Sequence, residues 1–278
     1  MNILVTLNSN YVNPLCTMLA SLAQSNPGQY INLYVAHSSL TDEDFAEMDY
    51  ALSGIGNKIH SIKLDNRLFD KAPVKKRISK ETYYRIFAPA YLPENVERIL
   101  YIDPDTVIIN SLSEFYASDF GNDVIIGAKH FDGAMNRWNK FRLFMRKSPS
   151  YINAGIMLLN IKELRKDFDS ERIFNQVCKK LPVLFLADQD LINILYDGKI
   201  GLESEYDINL DERTFKRLAD KYGVETAMRY VKLNTKIVHF NGKYKPWKPN
   251  YRGRLKPFYD KYAACEITPL ERYVNEGA

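Results

Sequence analysis

Short apolar runs alternate with amphipathic ones along the first hundred or so positions of the chain. "NILVTL", "INLYVAH", "KIHSIKL" and "RILYI" have strand length and few polar residues, and they read as four strands. Between them lie "NPLCTMLASLAQ", "TDEDFAEMDYAL" and "KETYYRIFAPAYL", which read as helices. Asn13 is placed as N-cap of the first with Pro14 at its first helical position, Thr41 caps the second, and the third closes before Pro93. Strand and helix in alternation predict βαβ units, hence an α/β fold with a mostly parallel central sheet flanked by helices. Ligands of such sheets bind outside the carboxyl ends of the strands, where Asn8 to Tyr11 and Asp103 to Asp105 both fall.

The second half is less regular. "VIIGA" and "AGIMLLNI" read as buried strands, "IKELRKDFDSERIFNQVCKKL" as one or two helices, and "KIVHF" as a last short strand. "DQDLINILYDG" predicts a helix capped by Asp188 and stopped near Gly198. No internal repeat, low-complexity tract or linker interrupts the chain before about Lys245, so one domain over 1–247 is expected, followed by a basic, aromatic extension over 248–278.

The 278 residues are 46% hydrophobic, a composition that supports a sizeable core. No apolar run reaches the ~18 residues a membrane span needs, and "MNILVTLNSN" has neither the basic region nor the cleavage site of a signal peptide. A cytoplasmic location is expected. Cys16, Cys178 and Cys265 are far apart and odd in number, which fits neither a disulfide framework nor a metal site. The net charge of +4 is uneven: between Arg229 and Lys261 ten basic residues face one acid, Asp260. The segment "KPWKPNYRGRLKPFYDKYAACEI" mixes these cations with Trp247, Tyr251, Phe258 and Tyr259. It reads either as a peripheral hold on an anionic membrane surface, at the inner face of the membrane, or on a phosphorylated glycan acceptor, or as a solvated cover packed across the active-site rim. No nucleic-acid reading module accompanies it.

Asp103 and Asp105 interrupt a strand directly after "RILYI", and carboxylates beside a core are costly to desolvate unless paired, hydrogen-bonded or holding a metal. Residues i and i+2 share one side of an extended chain, and a turn at Pro104 also converges them. A turn or capping device and a shared metal site both fit. His239 ends "TKIVHF", with Gly242 and Lys245 after it; alone it reads as structural, but with the flexible backbone and the cation it suggests a pyrophosphate site. Two carboxylates and an imidazole suit Mn²⁺ better than zinc.

"ILYIDPDTVI", "YINAGIMLLNI", "LADQDLIN" and "VHFNGKYKPW", in that order and spacing, resemble glycosyltransferase family 8, in its bacterial lipooligosaccharide galactosyltransferase and general stress protein A type. The resemblance runs from about Asn2 to Trp247 and implies a GT-A type fold and a retaining transferase. It would move a hexose from UDP-glucose or UDP-galactose to a glycan or glycolipid acceptor. It implies that Asp103, Asp105 and His239 hold Mn²⁺, with Mg²⁺ as the substitute. Gly242 and Lys245 match positions that approach and neutralise the diphosphate. Thr6, Asn8, Asn10 and Tyr11 match the loop that cradles uridine, with Tyr11 stacking on uracil. Arg85 matches a donor-contacting cation, and Asn153, Ala154, Gly155, Asp188 and Gln189 match the sugar pocket. Pro104, where relatives often have a small or apolar residue, fixes φ between the two carboxylates.

Two departures stand out. Asn8 occupies a place where relatives often carry an acid, and its amide oxygen can accept the same bond from uracil. His130, in "AKHFDG", falls where some relatives carry an acid near the acceptor. Retention needs either a covalent intermediate, for which Gln189 is the matched side chain, or front-face delivery of the acceptor. An amide oxygen is a poor nucleophile, which favours the second. The rival readings are a sugar-nucleotide binding protein without turnover and a metal-dependent phosphoryl transferase, for which no Walker A pattern is present.

Overall fold

A computed structural model describes residues 1–65, 81–180 and 184–263. Seven strands form the central sheet: β1 (Asn2–Thr6), β2 (Ile31–His37), β3 (Asn57–Lys63), β4 (Arg98–Ile102), β6 (Ile125–Lys129), β7 (Ile152–Asn160) and β8 (Ile200–Glu203). Their order is β3-β2-β1-β4-β7-β6-β8. The pairings among β1 to β4 and that of β6 with β8 are parallel, while β7 runs antiparallel to β4 and β6. A separate ribbon joins β5 (Thr106–Ile108) to β9 (Ile237–His239).

The apolar strand runs follow from burial on both sheet faces. Leu4, Tyr34, Ile99 and Tyr101 point into one core, and their neighbours Ile3, Val5, Leu33 and Leu100 into the other. A third cluster, around Val107, Leu210, Phe215 and Val238, covers the ribbon. The described part of the C-terminal segment joins it: Tyr251, Leu255, Tyr259 and Tyr262 are buried there, and Thr17 Oγ1 donates to Tyr259 Oη at 3.3 Å. Residues 264–278, and the Lys80 expected at a helix start, lie outside the described residues. Among the described residues no helix is long and apolar enough to cross a membrane.

Three expectations change in detail. Helix Val12–Ser25 begins before Asn13, after a 3₁₀ turn at Ser9–Tyr11 in which the Asn8 side chain accepts from Asn10 N at 3.1 Å. Pro14 is tolerated because first-turn N–H groups have no intrahelical partner. The segment before Pro93 is broken into Glu81–Tyr84, a 3₁₀ turn at Arg85–Phe87, and Ala88–Tyr91. Pro89 has no N–H to give the Arg85 carbonyl, so the chain tightens there. Asp188 lies inside helix Ala187–Leu195 instead of capping it; Leu186 is the N-cap, and Asp190 Oδ2 accepts from Phe185 N at 2.7 Å and Leu186 N at 2.9 Å. The helices Glu205–Ile208, Glu212–Tyr222 and Val224–Asn234 were not distinguished in the sequence.

Candidate active site

The carboxyl ends of β1 and β4 diverge where the strand order reverses, and Asp103 leaves β4 there. Asp103 N still donates to Gly155 O on β7 at 2.7 Å, which extends the sheet into the site. The chain then enters β5, whose Thr106 lies opposite His239 on β9. Phe240 N donates to Asp105 O at 2.9 Å and closes the ribbon. This pairing brings together Asp103, Asp105 and His239, whose ligand atoms lie within 4.8 Å of one another.

The imidazole is oriented for a cation. Asn209 Oδ1 faces His239 Nδ1 at 2.9 Å, so whenever the ring is neutral its proton lies on Nδ1 and the Nε2 lone pair points towards the carboxylates. Nε2 lies 3.2 Å from Asp105 Oδ1 and 3.8 Å from Asp103 Oδ2. Converging lone pairs of this kind fit a hard or borderline divalent ion. Gly155 forms the floor beneath them, because a Cβ there would collide with His239 Cε1 and fall 2.6 Å from Asp103 Oδ2.

Cations surround this centre. Lys245 Nζ lies 2.5 Å from Asp105 Oδ2 and donates to Phe240 O at 2.8 Å. Burial opposes the Asp105 charge, yet the imidazolium form of His239 and the Lys245 ammonium outweigh it and hold the carboxyl well below the usual range. Burial likewise disfavours charge on Lys245, but Asp105 raises its pKa overall. Arg85 reaches Asp103 Oδ1 at 3.0 Å, Asp188 Oδ2 at 3.1 Å and Ala154 O at 2.9 Å, and lies over the Tyr101 ring at 4.4 Å. Its Nε is buried and has no aligned hydrogen-bond acceptor among the described residues. Burial, with the Asp103 charge added, raises Asp188 to about 6 against the pull of Arg85.

Along β7, Gly155 N donates to Asn153 Oδ1 at 2.8 Å, which fixes the amide so that Nδ2 donates to His130 Nδ1 at 2.9 Å. His130 therefore carries its proton on Nε2. Burial and the nearby Arg213 push its pKa down to about 3, so an uncharged donor stands at this place. Gln189 is engaged at both ends: Oε1 accepts from Ala154 N at 3.2 Å and Nε2 donates to Tyr151 Oη at 3.0 Å.

A cavity of about 630 Å³ opens over this cluster. Of the expected site residues, Arg85, Asp103, Asp105, Asn153, Ala154, Gly155, Asp188, Gln189, His239 and Gly242 line it. Lys245 stands behind Asp105, and Pro104 is buried between the two carboxylates. Thr6 is buried and meets Tyr101 Oη at 3.1 Å, one bond removed from Asp103. Asn8 caps the 3₁₀ turn that holds Asn10 and Tyr11, and none of the three lines that cavity; Tyr11 packs edge-on against Trp247 with ring centroids 6.0 Å apart. Sequence reasoning missed Tyr101, whose hydroxyl donates to Asp103 Oδ1 at 2.5 Å, although its place two residues earlier on the strand was legible. It also missed Asn209, Tyr151 and Arg213, for which no local signal exists.

A family model for glycosyl transferase family 8 matches residues 2–250. General stress protein A of Bacillus subtilis is 26% identical over 269 residues, covering 94% of this chain and 91% of that protein. A lipopolysaccharide 1,2-glucosyltransferase of Escherichia coli is 27% identical over 255 residues, covering 87% and 71%. In fold, the chain superposes with a TM-score of 0.80 at 20% identity on galactosyltransferase LgtC, solved in complex with donor and acceptor sugar analogues, covering 99% of each chain. The fold is of the GT-A type.

Proposed function

We propose that this chain, which belongs to glycosyl transferase family 8, moves glucose or galactose from a UDP-sugar to a glycan or glycolipid acceptor with retention at the anomeric carbon. The observation that carries this reading is the convergence of Asp103, Asp105 and His239, ligand atoms within 4.8 Å, in the cavity beyond β4. These three residues would hold Mn²⁺, or Mg²⁺ in its place. A divalent ion bound there would act as a Lewis acid towards charge developing on the departing diphosphate, an effect of several kcal/mol.

The chain's own groups supply the rest. Lys245 gives the diphosphate a fixed cation and Gly242 lets backbone approach it, while Thr6, Asn8, Asn10 and Tyr11 form the uridine end and Pro104 sets the spread of the carboxylates. Arg85, anchored on Asp103 and Asp188, holds the donor side of the cavity rigid. Asn153, Ala154 and Gly155 orient the hexose. Asp188, mostly ionised at neutral pH, accepts from its hydroxyls. Because both ends of the Gln189 amide are engaged, the residue positions the sugar instead of attacking it. The acceptor hydroxyl bonds to the anomeric carbon on the face from which UDP leaves, the carbon–phosphate oxygen bond breaks, and a departing phosphate oxygen takes the hydroxyl proton. We place this chemistry at the cytoplasmic side, in peripheral contact with a membrane.

UDP-glucose and UDP-galactose offered with Mn²⁺, Mg²⁺ or EDTA test the reading. Metal-dependent release of UDP by the wild type and its loss in Asp105→Asn are expected. Full turnover in EDTA, or none with either sugar, would overturn it.

A further inference from the structure

Helix Gly133–Arg142 is built inside out. Its buried residue is Asn139, which donates to Met135 O at 2.9 Å and accepts from Arg142 Nε and Nη2 at 2.9 and 2.6 Å. Asn136, one turn earlier, accepts from Tyr151 N at 3.0 Å. The apolar residues point outwards instead: Met135, Trp138 and Phe141 are 52%, 49% and 80% exposed. A surface helix ordinarily turns its apolar stripe to the core, and an outward apolar face marks a contact surface. Phe144, past the helix end, is also largely exposed and holds φ at +59°, a left-handed conformation in which glycine is usual and a bulky residue is strained. An aromatic ring at that backbone conformation costs conformational energy, and the residue stays 64% exposed.

Charge identifies the partner. No acid lies between Asp132 and Glu163, and within that interval Arg137, Arg146 and Lys147 are exposed. Two carboxylates meet this interval without pairing the side chains of Arg137, Arg146 or Lys147: Asp190 holds Arg142 at 2.7 Å, and Asp197 accepts from the backbone N–H groups of Arg146, Lys147 and Ser148. Outward Trp and Phe interleaved with Arg and Lys are the makeup of a helix that lies in the interface of a bilayer with anionic headgroups. The patch also reaches the cavity, because Trp138 stacks on Phe185 at 5.9 Å and Phe185 lines the cavity wall.

We propose that helix Gly133–Arg142, with Phe144 and Phe185, is a membrane-docking face that seats the cavity mouth on an anionic lipid surface. It gives the membrane contact proposed above a place on the fold, distinct from the C-terminal segment, whose Tyr251, Tyr259 and Tyr262 are buried. Its test reads binding without turnover, so failure of the transferase reading leaves it standing.

The full chain is floated with vesicles of phosphatidylcholine alone or with about a third phosphatidylglycerol, at low and high salt. Wild type should float with the anionic vesicles and less so at high salt. Met135→Ser/Phe141→Ser should lose affinity by roughly tenfold or more, as expected for apolar side chains withdrawn from the interface. Arg137→Glu/Arg146→Glu should bind weakly even at low salt, and keeps the test decisive if the first variant folds poorly. Equal flotation of wild type and both variants, or no flotation of the wild type, would overturn the proposal. So would a dimer in sedimentation velocity that Met135→Ser/Phe141→Ser dissociates, since the face would then belong to a second copy.

Discussion

Lys245 Nζ stands 2.5 Å from Asp105 Oδ2, on the carboxylate whose other oxygen lies 3.2 Å from His239 Nε2. The ammonium therefore touches the proposed metal ligand itself, and a divalent ion held there would share the Asp105 charge with a fixed cation.

Lys245→Ala should separate those two roles. Without Lys245, the buried Asp105 loses its ammonium partner, and metal-free stability should fall by about 2–4 kcal/mol. Mn²⁺ alone should then raise the Tm of the variant more than that of the wild type, because the site is more negative. UDP-sugar KM should rise at least roughly tenfold as the diphosphate loses its cation. An equal Mn²⁺ shift in both proteins would show that Lys245 does not act on the metal site.

Gly155→Ala should damage the same centre from below. The added Cβ cannot avoid His239 and Asp103, so one of them must move. We expect about 1–3 kcal/mol of destabilisation from overpacking and a turnover below roughly 1% of wild type. Unchanged kcat and Mn²⁺ dependence would refute the crowded floor.

Asp188 gives a pH signature. Its pKa is raised to about 6 by burial, above the ordinary 3.8. The folded protein holds that proton more tightly than the unfolded chain, so its contribution is full below about pH 4 and lost as pH rises through about 6. Asp188→Asn has no such titration. Urea unfolding should show the variant gaining on the wild type by roughly 2–3 kcal/mol between pH 4 and 7.5. Asp105, held low, is common to both proteins and cancels; a constant difference would contradict the assignment.

Gln189→Ala should keep more than about a hundredth of the wild-type rate, a loss under ~3 kcal/mol, if the amide only positions the sugar. Single-turnover kinetics would measure it, and a rate several decades lower would restore Gln189 as a nucleophile.

The α/β class, the strand runs and the Thr41 helix cap were readable from the sequence because each depends on residues a few positions apart. So were the candidate residues Asp103, Asp105, His239 and Lys245, through motif types whose chemistry is local. The split helix around Arg85 was readable in principle from Pro89, but the 3₁₀ tightening needed the packed chain. Tertiary structure alone decided that Thr106 pairs with His239, that Lys245 meets Asp105 across 140 residues, and that Asn209 sets the imidazole proton. It alone decided, too, that the aromatic side of helix Gly133–Arg142 faces out. Hydrophobic periodicity records which residues share a side of an element, whereas the side that meets the core is fixed by how distant elements pack against each other.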